Sequence, residues 1–246
     1  MSIFKNVTSD DSIANERDSV GGGGVLESGL YPATVKLAYA TTAASGAMGL
    51  VLHLQTEQGR EIRETLWITS GKAKGGKNYY EKDGQKHYLP GYLNATALTL
   101  LTVGEELSEV ETETKVVNVY SREAKAEVPT KVEMLMDLLD QPIHVGVIKE
   151  IVDKTTQADD GSYVPTGETR EQNVIDKFFR ASDNRTTSEI RAKSEDAVCG
   201  NTWKERWSGK TRDRSTKGAA NTPARSAGSG IAANQPAKKP TTSLFA

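Results

Sequence analysis

Apolar and polar residues alternate in short bursts through the first third of the chain, and the period is that of strands. Val35, Leu37 and Tyr39 alternate within GLYPATVKLAYATTA, Leu50, Leu52 and Leu54 within GLVLHLQTE, and Ile62, Leu66 and Ile68 within REIRETLWITS. A period of two buries one face of a sheet and leaves the other to solvent. Glu57-Gln58-Gly59 joins the second and third strands by a short glycine-containing connection that suits a hairpin. The period then changes. In YLNATALTLLTVG, Leu93, Ala97, Leu98 and Leu101 recur at helical spacing, and Gly104 stands where a helix C-cap is expected. An acidic run from Glu105 to Glu113 leads to TKVVNVYS and the short apolar VEMLMDLLDQP, which Pro142 ends. IHVGVIKEIVDKTT reads as a long strand, and a turn at Gly161 returns the chain through Tyr163 and Val164 to NVIDKFF as a closing hairpin.

Three strands, a helix and two closing strands suit a small Greek-key barrel such as the OB-fold. The expected fold is mainly β, an OB-fold-like barrel with one helix after the third strand. An SH3-like barrel or an immunoglobulin-like sandwich does not normally place a helix there. Residues 1–24 are polar and end in four glycines, a composition for a flexible arm. The folded domain is expected over 25–202 and a basic disordered tail over 203–246, where Gly, Ala, Ser, Thr, Pro, Lys and Arg dominate beyond Ser208. With 36% hydrophobic residues and four Phe, the core is smaller than 246 residues would normally build.

Charge is distributed unevenly. Trp203 to Ala246 carry nine Lys/Arg against Glu205 and Asp213, a net of +7, which leaves −9 for the rest of a chain whose formal charge is −2. A polyanion must therefore meet local patches. The single cysteine, Cys199, excludes an internal disulfide, and with three scattered histidines no metal site or cofactor is expected. His53 and His144 interrupt strand alternation as half-exposed residues do, GKAKGGK lacks the Ser/Thr of a phosphate-binding loop, and the acidic run lacks the spacing of a calcium loop. No enzymatic activity is expected. The N-terminus has no apolar core of signal-peptide length and no membrane-spanning run appears, so a cytoplasmic protein that engages no membrane is expected.

Between Gly71 and Tyr92, Lys72, Lys74, Lys77, Lys82 and Lys86 are interleaved with Tyr79, Tyr80, Tyr88 and Tyr92, half of the eight tyrosines. Cations beside aromatic rings are what a single-stranded nucleic acid needs: bases stack on π-faces and ammonium groups meet phosphates. The alternative is a solvated hairpin tip whose tyrosines fold back onto the sheet. On the third strand, Arg63 and Trp67 share the face opposite Ile62, Leu66 and Ile68, which makes Trp67 either a stacking platform or a cap on the barrel end. Lys36 points away from Val35 and Leu37 and adds to the same surface; Tyr39 joins it only if a bulge or strand end turns it outward.

These residues resemble those of the OB-fold single-stranded DNA-binding proteins of tailed bacteriophages. The resemblance covers roughly residues 26–180: a strand opening Gly29-Leu30-Tyr31, a Ser45-Gly46-Ala47-Met48 lead, Gly59-Arg60-Glu61 into a strand ending Trp67-Ile68-Thr69, then Gly76-Lys77-Asn78-Tyr79-Tyr80. It implies non-enzymatic coating of single-stranded DNA during phage replication and recombination in the host cytoplasm. Many such proteins end in an acidic tail tipped by an aromatic residue that recruits replication partners. Here the tail is basic and Phe245 keeps only the hydrophobic tip, so Lys204, Arg206, Arg212 and Arg214 are expected to grip phosphates and Phe245 to recruit replication or recombination proteins. Trp203 and Trp207, four apart, either stack on bases or dock onto the barrel. A phage scaffold or protein-interaction module is the alternative from another class.

Overall fold

In the computed structural model, which describes residues 24–121, 124–158 and 163–216, the three alternating bursts form β1 (Gly29–Thr42), β2 (Met48–Thr56) and β3 (Glu61–Trp67). They pair antiparallel in sequence order. Gly59, at φ 76°, makes the tight β2–β3 turn, a backbone that a side chain would oppose. The chain then forms a small separate hairpin, β4 (Tyr79–Lys82) and β5 (Gln85–Tyr88), followed by α1 (Pro90–Thr102). Pro90 supplies the fixed φ of a first helical turn, and Gly104, at φ 83°, closes the helix by donating its N–H to the Thr99 carbonyl at 3.1 Å. The buried residues are Ala95, Leu98, Thr99, Leu100 and Leu101; Leu93, expected among them, is exposed.

A second hairpin, β6 (Glu113–Ser121) and β7 (Ala126–Met134), precedes a long one, β8 (Pro142–Gln157) and β9 (Tyr163–Phe179). VEMLMDLLDQP thus divides: its start completes β7, Met136–Leu138 make one 3₁₀ turn, and Pro142 opens β8, where its missing N–H is least costly. After β9 come α2 (Thr187–Arg191), α3 (Val198–Trp207) and β10 (Thr211–Asp213). Among the described residues most of the strands form one mainly antiparallel sheet, in which only β10 runs parallel to its neighbour β8.

The long β1 organises this sheet. Its first half pairs with β8, from Gly29 opposite Val147 to Thr34 opposite Pro142, and its end pairs with β7 through Tyr39 opposite Met134. Between the two halves the β1–β2 register slips at Lys36. That bulge reverses the alternation, so Val35 and Ala38 both face the core, and Tyr39 faces outward. On the far side of β8 lies β9, which comes alongside β3: the Glu64 carboxylate accepts the Ile175 N–H at 2.5 Å. The enclosed core joins Val35, Leu52, Leu54, Leu98, Val145 and Phe178, each at most 1% exposed. Helix α1 seals one end so closely that a Cβ on Gly91 would stand 2.2 Å from the Trp67 carbonyl oxygen.

The folded body extends past the expected boundary at residue 203. Trp203 is 6% exposed, packed on Ile148 and Phe179, and its indole N–H donates to Asp176 at 2.8 Å. A Cβ on Gly146 would lie 2.9 Å from its ring. Arg212 on β10 then reaches the fully buried Glu150, its Nε donating at 2.6 Å. Long-range partners, not local apolar density, order this segment. The arm before Gly24, the turn at Gly161 and the chain beyond Thr216, Phe245 included, lie outside the described residues. Among the described residues no helix is long and apolar enough to cross a membrane.

Candidate nucleic-acid interface

Strand alternation on β3 sends Ile62 and Leu66 inward, 5% and 3% exposed, and Arg63 and Trp67 outward. Trp67 is 44% exposed and lies against Gly49, its register partner on β2: a Cβ there would meet the indole Cε3 at 3.0 Å. The missing side chain lets a flat ring rest on the sheet with its other face open. Trp67 is therefore a surface ring and not a core cap. Arg63 sits about 13 Å along the same face, given the strand rise. Its guanidinium is anchored by Glu61 at 2.6 Å while staying exposed, and His53 is its cross-strand partner. Burial, then the Arg63 charge, holds the His53 imidazole below its usual range.

Past Trp67 the Lys/Tyr segment is shaped by glycines and one serine. Gly75 and Gly76 both take left-handed backbone, at φ 83° and 60°, and the loop is pinned where Ser70 N–H donates to the Lys77 carbonyl at 2.8 Å and Lys77 N–H to Ser70 Oγ at 3.0 Å. Asp83 and Gly84, at φ 52° and 74°, form the two-residue turn that such backbones favour, so Tyr79 stands opposite Tyr88 and Tyr80 opposite His87. The segment is thus a hairpin, yet its rings stay out of the core: Tyr80 is 46% and Tyr88 54% exposed. Tyr80 stacks on His87 with centroids 5.5 Å apart, and Tyr88 meets Tyr92 at 5.0 Å. Tyr79 has Lys77 and Lys86 ammonium groups 5.3 and 5.0 Å from its ring centre.

Hairpin, β3 and the start of α1 surround an open cleft of about 980 Å³, whose walls carry Trp67, Lys74, Lys77, Tyr79 and Tyr80 and whose depth carries Glu64 and Ile175. Burial pushes the Glu64 carboxyl up to about 7, against the Ile175 N–H that favours its charge. A second groove of about 410 Å³ lies between the β6–β7 hairpin and the outer face of β1–β3, and is lined by Lys36, His53, Arg63 and Asn118. So Lys36 and Arg63 fall in one depression and Trp67, Lys74, Lys77, Tyr79 and Tyr80 in the other, and Arg63 and Trp67 share one strand face. Lys72, Lys86 and Tyr88 line neither depression, and the Lys72 side chain packs over Gly46, where a Cβ would meet it at 2.5 Å. Lys36 reaches the second groove while paired with Asp140 at 2.8 Å.

Several assignments change. Tyr39 is 8% exposed, because the bulge that turns it outward delivers it under Val132 and Met134 of the β6–β7 hairpin; its ring faces no base. Arg212 is bound to Glu150 and Asp176 and is not a free phosphate contact; Arg214 lies 3.7 Å from the same Glu150 but keeps its side chain 64% exposed. Lys204 and Arg206 are exposed on α3, and the Arg206 and Arg212 guanidinium groups lie 5.4 and 5.5 Å from the Trp207 ring centre. Glu64 and His53 enter the two depressions although neither was singled out as a contact. The alternation Ile62-Glu64-Leu66 already places Glu64 inward, and Asp83-Gly84 between two short polar-aromatic runs signals the hairpin.

The Cys199 thiol is half-buried, and burial pushes it above the usual range, the reverse of what a reactive thiolate needs. Among the described residues no group of three or more His, Cys, Asp or Glu is arranged to hold a metal ion. No protein-family model matches the chain, and no curated protein matches it.

Proposed function

We propose that this chain binds and protects single-stranded DNA without catalysing a reaction, as the phage proteins it resembles do during replication and recombination. The observation that carries the reading is Trp67, an open indole on the outer sheet face, beside a cleft whose lining includes Lys74, Lys77, the half-buried Tyr79 and the exposed Tyr80. Stacking is tolerant of sequence because every base has a π-face, and the lysines add a grip on phosphates. The fold supports it too. The succession β1-β2-β3, then β9 and β8 back to β1, with α1 after the third strand, is the order an OB-fold uses, and the β6–β7 hairpin is an insertion into it.

Anisotropy of labelled oligo-dT, a duplex and an RNA of equal length, read across a salt series, tests this directly. Single strands should bind more tightly than duplex, with log affinity falling linearly against log salt. Equal, weak binding of all three at every salt would contradict the reading and favour a scaffold or protein-interaction module.

A further inference from the structure

The strand β6 is an edge. All nine of its residues pair with β7 in unbroken register, from Glu113 opposite Met134 to Ser121 opposite Ala126, and among the described residues no strand lies on its other side. Free edges normally carry a defence: a proline, a bulge, a lysine turned inward or extreme shortness. From Val116 to Tyr120 this strand has none, being Val-Val-Asn-Val-Tyr without charge, Pro or Gly. Val116 and Tyr120 are 63% and 62% exposed, on the face away from the Tyr39 cluster. An apolar, uncharged edge of this length is a template for one more strand.

The order of side chains identifies that strand. About Asn118 the pattern is symmetrical: Val117 and Val119 flank it on the covered face, Val116 and Tyr120 on the open face. An antiparallel copy related by a twofold axis at Asn118 sets Val117 opposite Val119 and Val116 opposite Tyr120, so apolar side chains meet apolar ones on both faces. Lys115 then faces Ser121, so no like charges oppose each other from residue 115 to 121, and Lys115 is already paired with Glu113 at 2.7 Å. Centring the pair on Val117 instead would set Lys115 opposite Val119 and Val116 opposite Asn118. We propose that two copies of this chain pair antiparallel through β6, centred on Asn118, and so join their sheets into one.

Light scattering on the full chain without nucleic acid should give a dimer, twice the 26.6 kDa chain mass, dissociating on dilution. The variant carrying Val116→Lys and Tyr120→Lys, both at exposed positions, opposes lysines across the axis and should be monomeric with an unchanged circular dichroism spectrum. For register, Asn118→Cys in a Cys199→Ser background should cross-link to a dimer under mild oxidant, since directly opposed strand residues lie within disulfide reach. Lys131→Cys on β7, the inner strand of the hairpin, should not. A wild-type chain that stays monomeric at the highest attainable concentration, a dimer that survives both lysines, or no cross-link at residue 118 would each overturn the proposal. None of these readouts involves DNA, so their failure leaves the binding proposal standing.

Discussion

The carboxylate of Glu64 accepts the backbone N–H of Ile175 at 2.5 Å, and a side chain thereby joins β3 to β9 where no backbone ladder runs between those strands. The same carboxylate lies in the depth of the cleft beside Trp67 and the tyrosines. Seam and candidate site therefore share one titratable group.

That group should make stability depend on pH. Burial, and the Glu150 charge, raise the Glu64 carboxyl to about 7 from 4.5. Between those values the folded chain holds a proton that the unfolded chain has released, so stability falls as pH rises through that window. Glu64→Gln keeps an oxygen for the Ile175 N–H and removes the titration. Urea unfolding from pH 5 to 8 should show the variant gaining on the wild type by up to roughly 3 kcal/mol at the alkaline end. Parallel pH profiles for the two proteins would contradict this assignment.

Tyr80 and Tyr88 are exposed on the hairpin and contribute little to the core. Each changed to Ala should leave the unfolding midpoint nearly unchanged and weaken oligo-dT binding by about 1–3 kcal/mol where its ring stacks on a base. Wild-type affinity in both variants would remove the hairpin from the binding surface.

Trp203 and Arg212 should behave in the opposite way. Trp203→Ala empties a buried site and should cost about 3–5 kcal/mol, and Arg212→Ala takes from the buried Glu150 its closest ion-pair partner, leaving Arg214 at 3.7 Å and Gln172 at 3.3 Å, and should also destabilise the fold. Chemical denaturation reads both. Removing residues 217–246, by contrast, should leave the folded body intact and lower the salt slope of DNA binding, because Lys217, Arg225, Lys238 and Lys239 go with them. Unfolding on that truncation would show that the body needs the segment.

What the sequence made legible was local. Period-two alternation located β1 to β3 and the outward face of Arg63 and Trp67, and helical spacing located α1, because neighbouring residues alone determine those patterns. Contacts between distant segments were not legible. The Tyr39 ring turned on a bulge at Lys36, as alternation required, but the hairpin that covers it comes some ninety residues later. Trp203 and Arg212 looked like tail because apolar residues thin out around them, while their partners Asp176 and Glu150 stand on β9 and β8. Glu64 was visible as an inward carboxylate, but its partner Ile175 is 111 residues away.

The most direct measurement is an oligo-dT titration followed by tryptophan fluorescence, on the wild type and on Trp67→Ala. Trp203 is buried and Trp207 is half-buried beside two arginines, so Trp67 is the indole most open to a base. DNA should quench part of the wild-type emission; Trp67→Ala should lose that part and bind about 5–150-fold more weakly, with an unchanged melting temperature. A Trp67→Ala protein that binds oligo-dT with wild-type affinity and undiminished quenching would contradict the account.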